Sequence, residues 1–439
     1  MARILAYTSP ARGHLFPLTP ILDELHRRGH DVAVRTLQSQ LPLMRDHDFH
    51  AAPISDRVEA ITHHDWRAGN PRRALAMAVE VFCTRAPLDG ADLREAIETE
   101  DPDVVLVDVN SWGALAAAER WAGPWAAFCP YPLALPSRDL PPFGPGLSPA
   151  RGPLGHLRDG LLRPIVAGAI EKATLPELNR VRGDFGLPLL GAVGDMFLRP
   201  PLLLYLTAEP FEYPRSDWPS NVVMVGPCAW EPPLDPPAWL SDIGEPLVLV
   251  TTSSEFQNDA RLVSTALQAL ADEPVHVIAT LPASELANCA VPRNAHVERF
   301  VPHGPVLDRA VCAITHGGMG STQKALARGV PVCAVPFGRD QLEVARRVEV
   351  AQAGTRLPAS RLRPDRLRAR VRAAMDCVEG ARRVASGFAA AGGANAAADA
   401  IENRLLPNST RTPIRPTLAH APTDGQLEAS ASGRSEPRR

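Results

Sequence analysis

The sequence predicts an α/β protein with two doubly wound, parallel sheets. Short apolar runs, which are typical of buried parallel strands, alternate along the chain with segments of helical pattern. The chain has 439 residues, which is enough for two or three domains. An irregular, proline-rich stretch at residues 209–246 divides the alternating pattern into two series. Each series is therefore predicted to form a sheet of its own.

The first series covers residues 1–208 and is predicted to form the N-terminal domain. Strands are expected at residues 3–8, 31–37, 104–107, 125–128 and 202–207, and helices at residues 17–28, 72–97, 111–121 and 154–182. Pro17 and Gly29 set the expected limits of the first helix, because proline favours the first helical turn and glycine often follows a helix end. Residues 130–153 are crowded with proline and glycine and predict a long loop. Such a loop after a strand often shapes a binding cleft.

The second series covers residues 247–390 and is predicted to form the C-terminal domain, with residues 209–246 as the interdomain linker. Its strands are expected at residues 247–252, 275–279, 296–299, 311–314 and 330–335. A last helix is expected at residues 391–405. Residues 406–439 contain few apolar side chains and are predicted to be disordered, since their burial would not offset the entropy lost on ordering.

The composition argues against several classes of protein. A net charge of −3 gives no reason to expect a nucleic acid or an anionic membrane as partner. The sequence holds no apolar run of about 18 residues, so no membrane span is predicted. The N-terminus has the pattern of a strand rather than of a signal peptide. Seven cysteines without a C-x-x-C motif argue against a disulfide framework or a zinc site. We therefore expect a cytoplasmic protein.

Residues 315–322, Thr-His-Gly-Gly-Met-Gly-Ser-Thr, form a glycine-rich turn between a predicted buried strand and a predicted helix. Free backbone N–H groups and the positive end of the helix dipole converge at such a turn, which suits a diphosphate. His316, Ser321 and Thr322 add side-chain donors. A plain tight turn is one alternative. A dinucleotide site is another, but it is weaker because Gln323 stands where the third glycine of G-x-G-x-x-G belongs.

Asp340 and Gln341 follow the next predicted strand, at residues 330–335. Because the carboxyl ends of parallel strands meet at one edge, we expect them close to the glycine-rich turn. A carboxylate, which only accepts hydrogen bonds, beside an amide suits the hydroxyl groups of a sugar. The alternative for Asp340 is a helix N-cap. Together the two stretches indicate a nucleotide-sugar site.

These stretches, with Phe300-Val301-Pro302-His303 before them, resemble the donor signature of GT-B glycosyltransferases. The resemblance is to the UDP-glycosyltransferase superfamily and, more closely, to its actinobacterial macrolide and enediyne antibiotic members. It covers about residues 1–405. It implies the GT-B fold, in which two Rossmann-like, doubly wound domains face each other across a cleft. The first domain would bind the acceptor, the second the nucleotide sugar, and the last helix would cross back onto the first domain.

The resemblance also implies roles for single residues in donor binding. Phe300 takes the place of the aromatic that stacks on the nucleotide base, Val301 would offer its backbone to the base edge, and His303 replaces a glutamine beside the ribose. The positions that match the diphosphate contacts are His316, Gly318, Met319, Gly320, Ser321 and Thr322, and those that match the sugar-hydroxyl pair are Asp340 and Gln341.

Two positions depart from the family pattern. The Gly-Ser turn after the first strand of the second domain reads Ser253-Ser254 here, and both serines are still expected to contact the donor. The glutamate that usually accepts from the ribose hydroxyls is Lys324, whose ammonium group has no acceptor capacity. We expect this exchange to favour a thymidine over a uridine nucleotide.

His14 and Asp108 are the predicted catalytic residues. His14 follows the first strand, in Gly13-His14-Leu15-Phe16-Pro17, and Asp108 follows the predicted strand at residues 104–107. Both lie at the carboxyl edge of a parallel sheet, where doubly wound folds bind ligands. From the residues alone, helix capping or packing is the alternative for each. The resemblance identifies His14 as the base and Asp108 as the partner that fixes its tautomer.

The resemblance implies an inverting, metal-independent O-glycosyltransferase of antibiotic biosynthesis. It would move a sugar from a TDP-deoxysugar or UDP-glucose to a hydroxyl group of an apolar small molecule, without a further cofactor and as a monomer or homodimer. The D-x-D triplets at residues 46–48 and 101–103 are not interpreted as metal sites. Three alternatives remain: a catalytically silent auxiliary protein, a transferase that inactivates antibiotics with UDP-glucose, and a sugar-nucleotide epimerase or phosphorylase.

Overall fold

The computed structural model describes residues 1–285 and 289–406. The tail predicted at residues 406–439 lies outside the described residues, apart from Leu406. Within the described ranges, no helix has both the length and the apolar character needed to cross a membrane.

The N-terminal half of the chain forms a sheet of seven parallel strands. The strands are β1 (Arg3–Tyr7), β2 (Asp31–Thr36), β3 (His50–Pro53), β4 (Val104–Asp108), β5 (Trp125–Cys129), β6 (Leu202–Tyr205) and β7 (Val222–Met224). The helices are α1 (Arg12–Arg27), α2 (Leu41–Arg45), α3 (Asp56–Glu59), α4 (Pro71–Glu100), α5 (Trp112–Trp121) and α6 (Gly152–Asp184). The strand order is β3-β2-β1-β4-β5-β6-β7. The order reverses between β1 and β4, which opens a crevice at their carboxyl ends.

The C-terminal half forms a second parallel sheet, of six strands. The strands are β8 (Leu247–Thr251), β9 (His276–Thr280), β10 (Ala295–Glu298), β11 (Ala310–Thr315), β12 (Val332–Ala334) and β13 (Gly354–Arg356). The helices are α7 (Arg261–Leu270), α8 (His303–Leu307), α9 (Met319–Ala327), α10 (Gln341–Val350), α11 (Pro364–Met375), α12 (Val378–Ala390) and α13 (Gly393–Leu405). The strand order β10-β9-β8-β11-β12-β13 reverses between β8 and β11. The predicted fold class, two doubly wound parallel sheets, is confirmed.

The first helix begins earlier than predicted. It begins at Arg12, so that Pro17 and Pro20 lie inside it. Each proline removes one N–H donor from the helix, a loss that packing of the buried face of α1 against the sheet can offset. His14 therefore lies in the first turn of α1, and its backbone N–H donates to the carbonyl oxygen of Ala11 at 3.0 Å.

Part of the predicted linker belongs to the first sheet. The strand β7 lies within residues 209–246 and pairs with β6, so the first sheet extends one strand beyond those predicted at residues 1–208. A strand of three residues is too short to show a hydrophobic period, and the prolines around it dominate the local pattern.

The last helix, α13, packs against the N-terminal half of the chain. Ala397, Ala398 and Ile401 are fully buried in the same core cluster as the α1 residues Leu18 and Leu22. At the helix surface, Arg28 pairs with Asp399 and with Glu402, each at 2.6 Å.

The proline-rich loop after β5 contacts the C-terminal half. The carboxylate of Glu343, in α10, accepts hydrogen bonds from the backbone N–H groups of Gly144 at 2.8 Å and of Gly146 at 2.9 Å. A Cβ atom at Gly146 would lie 2.4 Å from the carbonyl oxygen of Leu342, and φ at this residue is +62°. Glycine is therefore required where the loop lies directly on α10.

Candidate active site

His14 and Asp108 form a hydrogen-bonded pair at the carboxyl edge of the first sheet. Nδ1 of His14 lies 2.8 Å from Oδ2 of Asp108, the last residue of β4. The same oxygen accepts from the backbone N–H and the hydroxyl of Ser9, at 3.1 and 2.7 Å, and Oδ1 accepts from the backbone N–H of Asn110 at 2.9 Å. Because a carboxylate faces Nδ1, the neutral ring carries its proton there and Nε2 is the basic nitrogen.

The electrostatic environment favours the charged form of this pair. Burial alone would lower the pKa of His14, but the charge of Asp108 and the hydrogen bond to it outweigh burial and raise this pKa above 6.5. Burial also opposes ionisation of Asp108, yet the charge of His14 and the hydrogen bonds from His14, Asn110 and Ser9 lower its pKa. The charges of Glu255 and Asp340, from the C-terminal half, contribute to the raised pKa of His14. Both carboxylates therefore act electrostatically on His14 from the other half of the chain.

The glycine-rich turn leads from β11 into α9, as predicted. Gly318 is the N-cap residue of α9, and no side chain caps the helix. The N–H groups of the first turn therefore lack an acceptor within the helix. A Cβ atom at Gly320 would meet no protein atom within 4 Å, so there is open space above the first turn. Uncapped N–H groups beside open space suit an anion.

His316 and Thr322 occupy different surroundings from those expected of donor-binding side chains. His316 is 7% exposed, its Nδ1 atom is buried without a partner, and its ring lies so close to Gly318 that a Cβ atom there would be 2.3 Å from Nε2. Burial lowers the pKa of His316, which favours the neutral ring. Thr322 is fully buried, and its hydroxyl lies 3.2 Å from that of Thr315. Thr322 therefore holds the turn together and does not present its hydroxyl to a ligand.

The other residues of the turn differ in what they present. Met319 is buried in the core with 5% exposure, so only its backbone is available at the helix end. The hydroxyl of Ser321 donates to the carbonyl oxygen of Gly318 at 3.2 Å and is partly exposed. The hydroxyl of Ser321 can therefore still accept a hydrogen bond from a ligand at the same helix end, or rotate to donate one to it.

Asp340 and Gln341, predicted as a pair, play separate roles. Asp340 is the N-cap residue of α10 by position, but its carboxylate makes no capping hydrogen bond. Burial raises the pKa of Asp340, against a hydrogen bond from its own backbone N–H and the charges of Arg339 and His14. Gln341 is 2% exposed; its Oε1 atom accepts from the backbone N–H groups of Phe337 and Gly338, and its Nε2 atom donates to Gln257 at 2.6 Å. Gln341 therefore orders the loop, and Asp340 is the member of the pair whose carboxylate is left for a ligand.

The predicted nucleotide end lies after β10. Phe300 is 45% exposed, as a stacking platform requires, whereas Val301 is fully buried and offers its backbone alone. His303 begins α8, and its Nε2 atom lies 3.2 Å from the hydroxyl of Thr280. Burial, followed by the charge of Lys324, lowers the pKa of His303 to about 4, so this ring is neutral near pH 7.

The two serines after β8 differ from each other. Ser253 is buried: its N–H donates to Asp259 at 2.8 Å, and its hydroxyl accepts from Gln257 at 2.8 Å. Ser254 is exposed at the cleft-side end of the same strand. Only Ser254 presents its side chain to solvent.

Comparisons with known proteins bear on this site. Residues 264–402 match the family described as "Erythromycin biosynthesis protein CIII-like, C-terminal domain". The 4'-demethylrebeccamycin synthase of Lentzea aerocolonigenes is 34% identical over 392 residues, which cover 85% of this chain and 92% of that protein. This chain belongs to the antibiotic glycosyltransferases with the GT-B fold. The demethyllactenocin mycarosyltransferase of Streptomyces fradiae is 26% identical to this glycosyltransferase over 441 residues, 93% of this chain and 87% of that protein.

Solved structures resemble this glycosyltransferase over nearly its whole length. The glycosyltransferase of kitacinnamycin matches with a TM-score of 0.70 and 24% identity, over 92% of this chain and 99% of that one. The calicheamicin glycosyltransferase CalG4 matches with a TM-score of 0.67 and 22% identity, over 94% of this chain and all of that one. At this identity the likeness concerns the fold.

Asn110 and Tyr131 are residues of the glycosyltransferase site that the sequence reasoning missed. The side-chain nitrogen of Asn110 lies 3.4 Å from Nε2 of His14, and the hydroxyl of Tyr131 donates to Oδ1 of Asn110 at 2.7 Å. The ring of Tyr131 lies 5.7 Å from that of His14. One signal was present: both residues follow strand ends, β4 and β5, at the edge that carries His14 and Asp108.

Glu231 is a second residue that the sequence reasoning missed. Its carboxylate accepts from the backbone N–H groups of His303 and Gly304, at 2.9 and 2.6 Å, and lies 3.5 Å from Nζ of Lys324. Burial disfavours the charged form of both partners. For Lys324 burial is the larger effect, so its pKa is lowered. For Glu231 the charge of Lys324 and the two backbone hydrogen bonds outweigh burial, so its pKa is lowered as well. The glycosyltransferase thus carries a carboxylate beside position 324, although position 324 itself is a lysine.

Two contacts join the halves of the glycosyltransferase across the cleft. The guanidinium of Arg339 forms two hydrogen bonds with the carboxylate of Asp65, at 2.9 and 2.8 Å, and reaches Glu255 at 3.3 Å. Beside them, the ring of Trp66 meets that of Phe256 edge-on, at 4.9 Å between centroids. These contacts close the cleft next to Asp340.

Proposed function

We propose that this enzyme is an inverting, metal-independent O-glycosyltransferase. It moves a sugar from a nucleoside diphosphate sugar to a hydroxyl group of a small-molecule secondary metabolite. The observation that carries the proposal is the hydrogen bond of 2.8 Å between Nδ1 of His14 and Asp108, which leaves Nε2 as a base. In the C-terminal half, the N-terminus of α9 is uncapped and can receive the diphosphate of the donor.

The reaction needs a base for the acceptor. Nε2 of His14 takes the proton of the acceptor hydroxyl as its oxygen forms a bond to the anomeric carbon of the donor. The imidazolium that results is stabilised by Asp108, which is fully buried and ionised. Attack from the side opposite to the leaving diphosphate inverts the anomeric centre.

The reaction also needs stabilisation of the leaving diphosphate. As the bond between the anomeric carbon and the phosphate oxygen breaks, negative charge grows on the diphosphate. The backbone N–H groups at the start of α9 and the hydroxyl of Ser321 are placed to offset that charge without rearrangement. A helix end of this kind supports a mechanism that does not depend on a metal ion.

The donor nucleotide is proposed to be thymidine diphosphate. Lys324 and Glu231 form an ion pair where ribose hydroxyls are expected, and both Glu231 oxygens already accept hydrogen bonds. A 2′-hydroxyl would find little acceptor capacity there, and an unpaired buried donor costs about 1–3 kcal/mol. Two structural neighbours support this choice, since the glycosyltransferases VinC and SsfS6 are described in complex with dTDP and thymidine diphosphate.

The test combines turnover with product analysis. Purified enzyme is incubated with TDP-glucose or UDP-glucose and a panel of phenolic and macrolide acceptors, and sugar addition is followed by mass spectrometry. We expect a β-linked product from the α-linked donor by NMR, and unchanged turnover in EDTA. Retention of the anomeric configuration would refute inversion, and activity that EDTA abolishes and Mg²⁺ restores would refute metal independence. A well-folded protein that transfers to no acceptor would instead be a silent auxiliary protein.

A further inference from the structure

Arg85, in α4, is a buried arginine without a carboxylate partner in the part of the chain that the structure describes. It is 7% exposed, and its guanidinium makes a single hydrogen bond, from Nη2 to the carbonyl oxygen of Ile61. Its Nε atom is buried without any partner. Burial of a guanidinium without a counter-ion costs free energy, so an arginine in such a place points to a ligand group that pairs with it.

The other buried arginines differ from Arg85 in this respect. Arg182 is 5% exposed and binds the two oxygens of Glu119 at 2.7 and 3.0 Å. Arg347 is 3% exposed and contacts Glu212 at 2.8 Å and Glu343 at 3.1 Å. This protein therefore pairs the arginines that it buries for stability, and Arg85 is the exception among the described residues.

A second unpartnered group lies two residues after Ile61, which accepts the hydrogen bond of Arg85. Nδ1 of His63 is buried without a hydrogen-bond partner. Burial, followed by the charges of Arg339 and Arg85, lowers the pKa of His63 to about 4. The ring is therefore neutral near pH 7 and can donate one hydrogen bond to an oxygen without adding a charge.

Aromatic rings line the same region. The ring of His63 meets that of Phe82 edge-on at 5.4 Å between centroids, and Phe82 lies 5.3 Å from Trp112 at an angle of 36°. Trp112 begins α5, is 6% exposed and belongs to the core cluster against which Phe82 packs. The half-buried ring of Phe82 beside a guanidinium suits a planar aromatic molecule that carries a charged oxygen.

The position of Arg85 relates it to the catalytic pair. Burial lowers the pKa of Arg85, and the charges of Glu255, Asp89 and Asp108 act against that shift. Asp108 is the partner of His14, and Glu255 belongs to the opposite side of the cleft, where it contacts Arg339. Arg85 bonds to Ile61, and Asp65 a few residues further on binds Arg339 of the opposite half at 2.9 and 2.8 Å, so this segment and Arg85 lie on the N-terminal side of the cleft.

We propose that Arg85 and His63 form an acceptor subsite that binds an anionic oxygen, such as a carboxylate, on a planar aromatic acceptor. The subsite rests on the proposed function, because it names the acceptor class for the same active site. The guanidinium supplies charge and the neutral His63 ring a further hydrogen bond, while Phe82 contacts the ring system. The acceptor hydroxyl that receives the sugar then points toward His14.

The test uses a matched pair of probes, 6-hydroxy-2-naphthoate and its methyl ester, and measures their binding to the full chain by calorimetry. We expect the acid to bind at least about tenfold more tightly than the ester, as a charge-assisted hydrogen bond provides. In R85M this preference should disappear through loss of affinity for the acid alone. R85K keeps the positive charge but lacks the planar guanidinium, so it should retain part of the preference for the acid over the ester.

Arg182 provides the matched control for a structural role. R182M removes the two hydrogen bonds that Arg182 makes with Glu119 and should lower the melting temperature, whereas R85M leaves no carboxylate without its partner and should change it less. The proposal is overturned if wild-type enzyme binds acid and ester equally, including no detectable binding of either. It is also overturned if R85M loses stability as R182M does and weakens both probes alike.

Binding and turnover separate this proposal from the proposed function. Preferential binding of the acid without transfer to any acceptor would leave the subsite in place and refute the transferase function. Transfer of sugar to the ester, together with equal binding of acid and ester, would support the transferase function and refute the subsite.

Discussion

The side-chain nitrogen of Asn110 lies 3.4 Å from Nε2 of His14, the nitrogen that is free to accept a proton. Tyr131 fixes the direction of this amide, since its hydroxyl donates to Oδ1 of Asn110 at 2.7 Å and so leaves the NH₂ group facing the imidazole. A donor at Nε2 stabilises the neutral ring and therefore opposes the effect of Asp108 on the pKa of His14.

The first prediction follows from this contact. N110A removes a donor to the neutral form of His14, so the pKa of His14 should rise and the acid limb of kcat/KM should move to higher pH. Y131F, which only releases the amide, should cause a smaller shift in the same direction. Full pH profiles of both variants measure this. An acid limb that stays in place in N110A would show that the contact does not influence the base.

The second prediction concerns the base itself. H14A should lower kcat by about 10²- to 10⁴-fold, the usual contribution of a general base, and leave nucleotide affinity nearly unchanged because the donor site lies in the other half of the chain. Single-turnover kinetics and calorimetry with TDP measure the two effects. Undiminished turnover in H14A would remove the assignment.

The third prediction is the pH dependence of the wild type. His14 must be neutral to act as a base, and its pKa lies above the ordinary value of 6.5 because Asp108 stabilises the imidazolium. Activity should therefore fall as the pH drops through a value above 6.5. D108N removes that charge, so its acid limb should move to lower pH while its plateau falls less than in H14A. Profiles of kcat/KM over pH 5–9 would locate the acid limb in the wild type and in D108N. An acid limb that moves to higher pH in D108N would contradict the stabilising role of Asp108.

The fourth prediction uses two glycines of one turn. A methyl group at Gly320 meets no protein atom within 4 Å but fills the space above the helix end, so G320A should weaken TDP binding about tenfold or more without loss of stability. A methyl group at Gly318 would lie 2.3 Å from Nε2 of His316, so G318A should lower both affinity and melting temperature. Calorimetry and thermal unfolding separate the two effects. Full TDP affinity in G320A would show that the diphosphate binds elsewhere.

The fifth prediction concerns the nucleotide. Wild-type enzyme should prefer TDP over UDP by about one to two orders of magnitude, and K324E should shift the preference toward UDP because a carboxylate accepts from the 2′-hydroxyl. The control is E231Q, which weakens the ion pair of 3.5 Å without adding a carboxylate at position 324. Equal wild-type affinities would contradict the prediction, and an equal shift in E231Q would assign the effect to the lost ion pair.

Several site residues were predictable because they stand in local patterns. The order of strands and helices, the glycine-rich turn into α9 and the polar residues at strand ends all follow from sequence neighbours, and the structure brings His14 and Asp108 together although 94 residues separate them. Parallel strands share a carboxyl edge, which predicted that the two residues lie close together, and the family resemblance predicted their roles as base and partner. The start of α1 was misplaced because Pro17 was interpreted as a helix start, whereas it lies inside the helix.

The sequence by itself determined the fold class, the order of its elements and the chemical types present at the catalytic edge. The tertiary structure decided which of those side chains face the cleft. Thr322 and Gln341 have suitable groups but turn them into the protein, while Glu231, in the predicted linker, contacts Lys324, and Arg85, in a predicted helix, is buried and donates to Ile61. The physical reason is that hydrophobic period and turn chemistry depend on near neighbours, whereas burial and pairing of a polar group depend on residues that only packing brings close.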